Sequence, residues 1–269
     1  MQLQNLKMRS VVNGLSIFVS LFIFSNTFAQ AEVSNNLKYC DLIRFSHYKN
    51  LCYKMVQEEG IPEYAIARSL LFIEDNENNA ITVDHKERTQ DKTEMVKRDV
   101  VVRSQFVAIV DFNKPSTEKR LHIINTGTFE HVKSYVTHGK NTGGLKPEGK
   151  NSFSNEDNSN KSAVGLYLTG PFYYGSNGKS LNLYGLDTTN SNVSMRDIVI
   201  HKADYATDDF IKAHGMLGRS LGCPAVPPEI MKNEVLVKLG EGAVVYLHYN
   251  GIEPVKLPSA NHNNAPYFE

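Results

Sequence analysis

The sequence predicts a mostly β domain of the sandwich or barrel type, preceded by a small helical region. From Arg103 onward, short apolar runs alternate with Gly-, Asn- and Pro-containing turns at close spacing, which is typical of many short strands. There is no regular alternation of strand and helix patterns and no phosphate-type glycine loop, which argues against a nucleotide-binding α/β enzyme. A length of 269 residues suits one or two domains. The net charge of zero argues against a nucleic-acid binder, for which a basic excess is usual.

Residues 1–29 have the layout of a secretory signal peptide. Two basic residues precede a mostly apolar stretch from Val11 to Phe24, and the small residues Ala29 and Ala31 follow it. The apolar stretch is shorter than the ~20 residues that a membrane-spanning helix needs. Cleavage after Ala29 leaves 240 residues with 27 basic and 29 acidic side chains, hence a net charge of −2. We therefore expect an exported protein that works in an oxidising compartment, without a membrane anchor once the signal peptide is removed.

Residues 30–100 are predicted to form a helical region and a connector. Apolar residues recur at helical spacing from Ile61 to Ile73, and Pro62 suits the first turn of a helix. The stretch from Asp84 to Asp99 is dense in charge and poor in apolar residues. We interpret that stretch as a connector or as the edge of the next domain.

Residues 101–250 are the predicted main domain, and residues 251–269 are a Pro- and Asn-rich tail. A helix is expected from Pro227 or Pro228 to Lys238, with Gly240 closing it. The polar segment 139–160 is long for a loop in a compact domain, which is typical of functional or mobile loops. The expected strands lie near residues 106–110, 121–124, 132–136, 164–168, 181–186, 198–200 and 243–248.

The chain has three cysteines, and two of them lie in the helical region. In one straight helix Cys40 and Cys52 would be ~18 Å apart, which is too far for a disulfide bond. The polar run from Ser46 to Asn50 could hold a turn, so two short helices could bring the pair together. A disulfide and a pair of buried thiols acting as small apolar residues both remain open.

Cys223 lies in a different setting, the segment Gly218-Arg219-Ser220-Leu221-Gly222-Cys223-Pro224-Ala225-Val226. Gly222 permits close approach of the backbone to a ligand. Pro224 has no N–H, so it cannot supply the oxyanion donor that follows the nucleophile in a nucleophile elbow. An oxyanion would therefore have to use N–H groups at or before Cys223, such as those of Gly222 and Cys223.

A thiol nucleophile needs a base or a cation beside it, and histidine is the usual base. His201 ends the apolar run that begins at Ile198, so a strand would deliver it at a sheet edge, and we favour it as the base. His138 and His214 are the alternatives. Zinc could use the same residue types, but they lack the usual C-x-x-C or H-x-x-x-H spacing. We therefore expect no metal site, and the family resemblance described next implies that no organic cofactor is needed either.

The segment with Cys223 and the upstream histidine resembles the L,D-transpeptidase (YkuD-type) family, in its murein L,D-transpeptidase catalytic domain branch. That family carries a strand-end His followed by a Ser/Thr-His-Gly-Cys segment, and here Ile200-His201 precedes Ser220-Leu221-Gly222-Cys223. The segments Val110-Asp111-Phe112 and His138-Gly139-Lys140-Asn141 are also similar to the branch. Two positions depart from the pattern. Leu221 replaces the usual His, and Ala225 replaces the usual Arg, for which Arg219 is a candidate substitute.

The resemblance implies an L,D-transpeptidase-like β-sandwich or barrel that acts on peptidoglycan stem peptides in the periplasm or cell envelope. Cys223 would form a thioester, His201 would move the proton, and Ser220 would orient the loop. An amine on a second stem or on an envelope protein would resolve the thioester, and water as acceptor would give an L,D-carboxypeptidase. Residues implied in substrate binding, beside the polar loop, are Arg219, His138, Tyr173 and Tyr174.

Two other functions are compatible with the same residues. The departures at Leu221 and Ala225 leave open a non-catalytic peptidoglycan-binding protein on the same fold. The pairing of Cys223 with a strand-end histidine also fits a cysteine hydrolase that acts on another peptide, although the sequence shows no protease-specific signature.

Overall fold

The computed structural model of the chain describes residues 37–143 and 152–252. The predicted signal peptide, nearly all of the predicted tail and the middle of the polar segment 139–160 lie outside the described residues. Within the two described stretches, no helix is long and apolar enough to cross a membrane.

The N-terminal part of the described chain is helical. A 3-10 turn at Cys40–Leu42 precedes helix α1 (Ser46–Glu59) and helix α2 (Glu63–Asn76). Helix α1 ends at Gly60, which adopts a left-handed φ of 65° and lets the chain turn sharply into α2. Helix α2 is buried without a break from Tyr64 to Ile73, as expected for a helix covered on every side.

The structure joins Cys40 and Cys52 by a disulfide bond, with the two Cα atoms 5.7 Å apart. The break that brings the two cysteines together lies at residues 43–45, between the 3-10 turn and α1. The run from Ser46 to Asn50, expected to hold a turn, is instead the first part of α1. The bond ties the start of the described chain to the body of α1.

Of the two interpretations of residues 84–99, the connector does not agree with the structure, whereas the edge of the next domain does. Strands β1 (Ala80–Arg88) and β2 (Thr93–Val101) form an antiparallel hairpin along their full length. Most of its side chains are at least partly exposed, so the alternation of apolar and polar residues that reveals a half-buried strand is absent. The two strands are instead linked across the hairpin by the ion pair Lys97–Asp84, at 2.8 Å.

The remaining strands form one eight-stranded sheet in the order β5-β4-β3-β10-β6-β7-β8-β9. Two neighbouring pairs, β3 with β10 and β8 with β9, are parallel, and the others are antiparallel. In chain order the strands are β3 (Arg103–Asp111), β4 (Leu121–Asn125), β5 (His131–Ser134), β6 (Gly165–Gly175), β7 (Gly178–Gly185), β8 (Val199–Lys202), β9 (Ala225–Val226) and β10 (Ala243–His248).

The two edges of this sheet approach each other, so the sheet is nearly closed into a barrel. The chain that follows β5 pairs with the chain around β9: the Thr137 N–H donates to Ala225 O at 2.9 Å, and the Ser220 N–H donates to His138 O at 3.1 Å. The mostly β fold predicted from the sequence is confirmed. Closure of the sheet places the segments around His138, Ser220 and Cys223 side by side.

Three elements were not expected from the sequence. Strands β6 and β7 continue to a tight turn at residues 175–178, a short helix α3 (Asp208–His214) follows β8, and β9 contains two residues. The helix expected up to Lys238 is present, as the consecutive helical segments Pro228–Ile230, Met231–Val235 and Leu236–Lys238.

The main sheet has apolar side chains on both faces. Along β3, Val107 and Ile109 pack with the N-terminal helices, whereas Ala108 and Val110 pack with the helical segments near Met231 on the other side. This alternation follows from the two-residue period of a strand. The N-terminal helices therefore share one core with the sheet.

A buried ion pair fastens helix α2 to the sheet. Arg68 and Asp187 are 3% and 7% exposed, and Arg68 Nη2 donates to Asp187 Oδ1. The other carboxylate oxygen of Asp187 accepts the Leu166 N–H at 2.8 Å. The pair thus joins the helix to the start of β6.

Replacing Asp187 with alanine is expected to lower the free energy of unfolding by about 3–5 kcal/mol, because the Arg68 guanidinium then stays buried without a counter-charge. Urea unfolding followed by circular dichroism measures the loss. The matched control is Asp84→Ala in the exposed Lys97–Asp84 pair, for which a loss below ~1 kcal/mol is expected. Equal losses for the two substitutions would contradict the conclusion that the buried Arg68–Asp187 pair stabilises the fold more than the exposed pair does.

Candidate active site

Cys223 and His201 are supplied by neighbouring segments at one edge of the sheet. In the parallel pair β8–β9, His201 lies opposite Ala225 and Lys202 lies opposite Val226. Cys223 lies two residues before Ala225, outside the strand, and packs against the core cluster that contains Ile198 and Ile200. The same register places Cys223 opposite Val199, whose backbone N–H faces the sulfur.

The turn before Cys223 is held by the side chain of Ser220. Ser220 Oγ donates to Cys223 O at 2.6 Å and accepts the Gly222 N–H at 3.1 Å. Gly222 adopts a φ of +133°, and a Cβ there would lie 2.8 Å from Ile198 Cδ1 and 2.9 Å from Lys161 O. Only glycine fits this position without displacing its neighbours. Ser220 and Gly222 therefore fix the path of the backbone into the cysteine.

The Gly222 N–H, expected to bind an oxyanion, donates to Ser220 Oγ in the structure, so it could reach an oxyanion only if that bond broke. Hydrogen bonding from the backbone at Val199 and at Cys223 itself lowers the pKa of the Cys223 thiol, so these two amides lie near the sulfur. Pro224 follows and has no N–H to add.

The Cys223 thiol rests in its neutral form. Burial raises the pKa of the thiol above its ordinary value, while the amides of Val199 and Cys223 and the charge of Arg196 oppose that increase. Cys223 Sγ donates to the backbone oxygen of Asp197 at 3.6 Å. Among the described residues Cys223 is the free cysteine.

His201 is a buried, neutral imidazole with a defined tautomer. Its Nδ1 lies 2.8 Å from the Lys202 carbonyl oxygen. Since a carbonyl oxygen only accepts, Nδ1 carries the proton and Nε2 presents its lone pair. Burial lowers the pKa of His201, which favours this base form. Among the described residues no hydrogen bond joins the His201 ring to Cys223.

His138 has the opposite tautomer. Arg120 Nη2 can only donate, and it lies 2.8 Å from His138 Nδ1, so Nδ1 accepts and Nε2 carries the proton. That N–H is buried and has no partner in the described part of the chain. Burial, with help from Arg120 and Arg219, lowers the pKa of His138 to about 3. His138 is therefore a hydrogen-bond donor beside the Ser220 segment and not a base.

His214, the other candidate, lies away from this site. It is exposed at the end of α3 and packs against Phe210, with ring centroids 4.1 Å apart.

These positions match a known enzyme domain. The model of the L,D-transpeptidase catalytic domain family matches residues 77–248. The chain belongs to this family. The resemblance drawn from the sequence is therefore confirmed, and the β1–β2 hairpin lies inside the matched residues.

A comparison with solved structures matches an L,D-transpeptidase from Mycobacterium smegmatis, at 10% identity, with 65% of this chain and 85% of that chain covered and a TM-score of 0.34. Bdellovibrio bacteriovorus Bd1075 shows 12% identity, coverages of 63% and 54%, and a TM-score of 0.33. An L,D-transpeptidase from Mycobacterium tuberculosis H37Rv shows 13% identity, coverages of 62% and 77%, and a TM-score of 0.32. A search of the curated proteins found no match.

The two positions that depart from the family pattern, Ala225 and Leu221, lie in different surroundings in this L,D-transpeptidase domain. Ala225 is fully buried in β9 among Ala203 and Ala206, where an arginine side chain would not fit. Leu221 is 64% exposed, so a change there does not disturb the core.

Of the other residues implied in substrate binding, the structure places three near the site and one apart from it. Arg219 Nη1 donates to Lys140 O at 3.3 Å, and Arg219 is close enough to His138 to affect its pKa. Tyr173 lines a cavity that also includes Asp197 and Val199. Tyr174 is 83% exposed and does not line that cavity.

Arg196 is a residue of the site that the sequence did not indicate. Its guanidinium donates to Ser154 O at 2.8 Å, Ser159 Oγ at 3.2 Å and Lys161 O at 2.6 Å. It thereby holds the described end of the polar segment 139–160 against the turn at Gly222. Its position in the turn just before strand β8, five residues before His201, was the available signal.

Replacing Arg196 with methionine is expected to raise the pKa of Cys223, because the nearest positive charge that stabilises the thiolate is removed. Alkylation of the thiol by iodoacetamide at pH 7.5 should slow by ~3–10-fold. Mass spectrometry follows the reaction over a pH series. Arg98→Met, which removes a cation of the hairpin instead, should leave the alkylation profile unchanged. An unshifted profile in the Arg196 variant would refute the electrostatic role.

No group of three or more His, Cys, Asp or Glu side chains in residues 37–143 and 152–252 is arranged to hold a metal ion.

Proposed function

We propose that this chain is a cysteine-nucleophile L,D-transpeptidase that acts on peptidoglycan stem peptides through a thioester. The observation that carries the proposal is the arrangement around Cys223. The free thiol follows a turn that only glycine fits and lies two residues before Ala225, the strand partner of a neutral His201 whose Nε2 lone pair is available.

In the first half-reaction His201 Nε2 removes the Cys223 proton while Sγ bonds to the carbonyl carbon of the diamino-acid residue in a tetrapeptide donor. The bond from that carbon to the terminal D-Ala nitrogen then breaks. The departing amine takes the proton from His201, and a thioester remains on Cys223.

In the second half-reaction an amine on another stem or on an envelope protein attacks the thioester. His201 accepts the proton of that amine and returns it to the sulfur as the new amide forms. Water in place of the amine releases a carboxylic acid, which is the L,D-carboxypeptidase outcome.

We assign the oxyanion contact to the backbone N–H of Cys223. The Gly222 amide is engaged by Ser220, and Pro224 has none. An amide fixed by a rigid turn is already aligned before charge develops, which is the condition for strong stabilisation of an oxyanion. Ser220 acts through this alignment and is a positioning residue.

We place the reaction in the periplasm or cell envelope. The predicted signal peptide at residues 1–29 would export the chain, and the Cys40–Cys52 disulfide is of the kind that persists in an oxidising compartment.

Intact-protein mass spectrometry with a stem tetrapeptide tests this function. We expect an adduct with the mass of the acyl tripeptide, release of free D-alanine, and loss of the adduct on treatment with hydroxylamine, which cleaves thioesters. Protein alkylated at Cys223 beforehand is the control and should form no adduct. Tight binding to purified sacculi with neither adduct nor D-alanine release would instead indicate a non-catalytic wall-binding protein.

A further inference from the structure

A cavity of about 300 Å³ lies between the hairpin and the main sheet. Strand β1 forms one wall, strands β6 and β7 form another, and the chain just before β8 closes a third side. Residues of this cavity used below are His85, Lys86, Arg88, Tyr173, Asp197 and Val199.

The cavity adjoins the nucleophile. The backbone oxygen of Asp197 is 3.6 Å from Cys223 Sγ, and the Val199 amide faces the same sulfur. Tyr173 lies on the opposite wall of the cavity. Burial raises the pKa of Tyr173, and the charges of Cys223 and Asp197 add to the increase. A peptide whose reacting carbonyl is at the sulfur would therefore have its next residue at or in this cavity.

The cavity carries an excess of positive charge. Lys86 Nζ and Arg88 Nη2 both contact the same oxygen, Asp197 Oδ2, at 2.9 and 2.6 Å. Two cations thus share one carboxylate. His85 adds no charge in its neutral form, since burial lowers its pKa and its Nδ1 bonds to the Tyr184 hydroxyl at 2.9 Å.

Arg88 is the cation best placed to take a ligand. More than half of its side chain is exposed, and within the described residues only Nη2 is engaged, by Asp197. The remaining guanidinium N–H groups can make a second, charge-assisted contact with a carboxylate. Lys86 is more committed, because Nζ also donates to Met195 O at 2.7 Å.

We propose that this cavity binds the C-terminal carboxylate of the donor peptide, with Arg88 as the principal contact and Lys86 holding Asp197 in place. The inference rests on the proposed function. In a tetrapeptide donor the carboxylate is one residue beyond the carbonyl that Cys223 attacks, and the cavity has room for one small residue. The hairpin is then a recognition element that restricts the reaction to the last peptide bond.

The test uses Cys223→Ala protein, which binds donor without turning it over. Two synthetic tetrapeptides, L-Ala-γ-D-Glu-meso-diaminopimelate-D-Ala as the free acid and as its C-terminal amide, are titrated by calorimetry. We expect the acid to bind ~10-fold more tightly than the amide. Adding Arg88→Gln should reduce that ratio to near one, and Arg88→Lys should restore part of it.

The matched control is Lys97→Gln on strand β2, where Lys97 pairs with Asp84 and lies outside the cavity. The acid-to-amide ratio should be unaffected. Equal binding of acid and amide, equal weakening of both by Arg88→Gln, or no binding of either peptide would overturn the proposal.

These results are separable from the proposed function. If the unsubstituted protein forms the thioester but the acid and the amide bind equally well, the carboxylate site is wrong and the transpeptidase function stands. If Cys223→Ala protein binds the acid more tightly than the amide but the unsubstituted protein forms no thioester, the transpeptidase function is wrong and the carboxylate site stands.

Discussion

Replacing Cys223 with alanine is expected to abolish thioester formation and to lower the release of D-alanine from a stem tetrapeptide by ~10⁴-fold or more. The other two cysteines are joined to each other, so the folded chain has no second thiol to take over. The alanine side chain fits the same space, and the turn is held by Ser220 and Gly222, not by the thiol. The fold should therefore survive.

The measurement is D-alanine release under saturating donor, paired with thermal unfolding of both proteins. A Ser220→Ala variant is the informative comparison. It keeps the nucleophile but frees the Gly222 amide and removes the bond to Cys223 O. We expect it to form the thioester slowly, with the loss in kcat and not in KM. Full activity in Cys223→Ala protein would exclude Cys223 as the nucleophile.

The longer strands with one or two buried faces could be predicted from the sequence, whereas the hairpin and the two-residue strand β9 could not. Every strand expected between residues 106 and 248 carries apolar residues that contribute to one of the two large cores. Strands β1 and β2 bury little beyond Val83 and Val100. The strands are joined by backbone pairing along their full length and by one exposed ion pair, Lys97–Asp84, which leave no hydrophobic period to detect.

Cys223 and His201 could be proposed as nucleophile and base from the sequence, because such chemistry is tied to residue type and to strand ends, and both roles stay predictions. The choice between His201 and His138 needed atomic positions. Both are buried histidines that follow apolar runs, and only their partners distinguish them. A carbonyl acceptor leaves His201 with a basic Nε2, whereas Arg120 leaves His138 with a donor.

Hydrogen bonds across the turn could not be foreseen either. The sequence alone shows that Pro224 has no N–H to offer an oxyanion. The hydrogen bond from the Gly222 N–H to Ser220 Oγ depends on a side-chain rotamer, which the sequence does not reveal. Arg196 is similar. Its role arises from bonds to backbone and side-chain atoms of residues 154–161, a segment distant in sequence whose path the pattern of residues does not reveal.

Replacing His201 with glutamine is expected to lower the rate of thioester formation by ~10³-fold, because the group that removes the thiol proton is lost while the buried volume is largely kept. Nδ1 of His201 donates to Lys202 O, and the glutamine amide can reproduce that single bond. Stopped-flow release of D-alanine measures the rate. His214→Gln, at the exposed end of α3, is the matched control and should match the unsubstituted protein.

The pH dependence of acylation also tests His201 as the base, by the shape of a profile and not by an absolute rate. Burial lowers the pKa of His201, so the base form predominates at neutral pH and is lost only as pH falls through that lowered pKa, below the ordinary ~6.5. Acylation should therefore rise through an acidic limb below pH ~6.5 and level off near neutrality. The His201→Gln protein should lack this limb and regain rate only at alkaline pH, where the thiol ionises without help. Persistence of the acidic limb in the glutamine variant would assign the base to another residue.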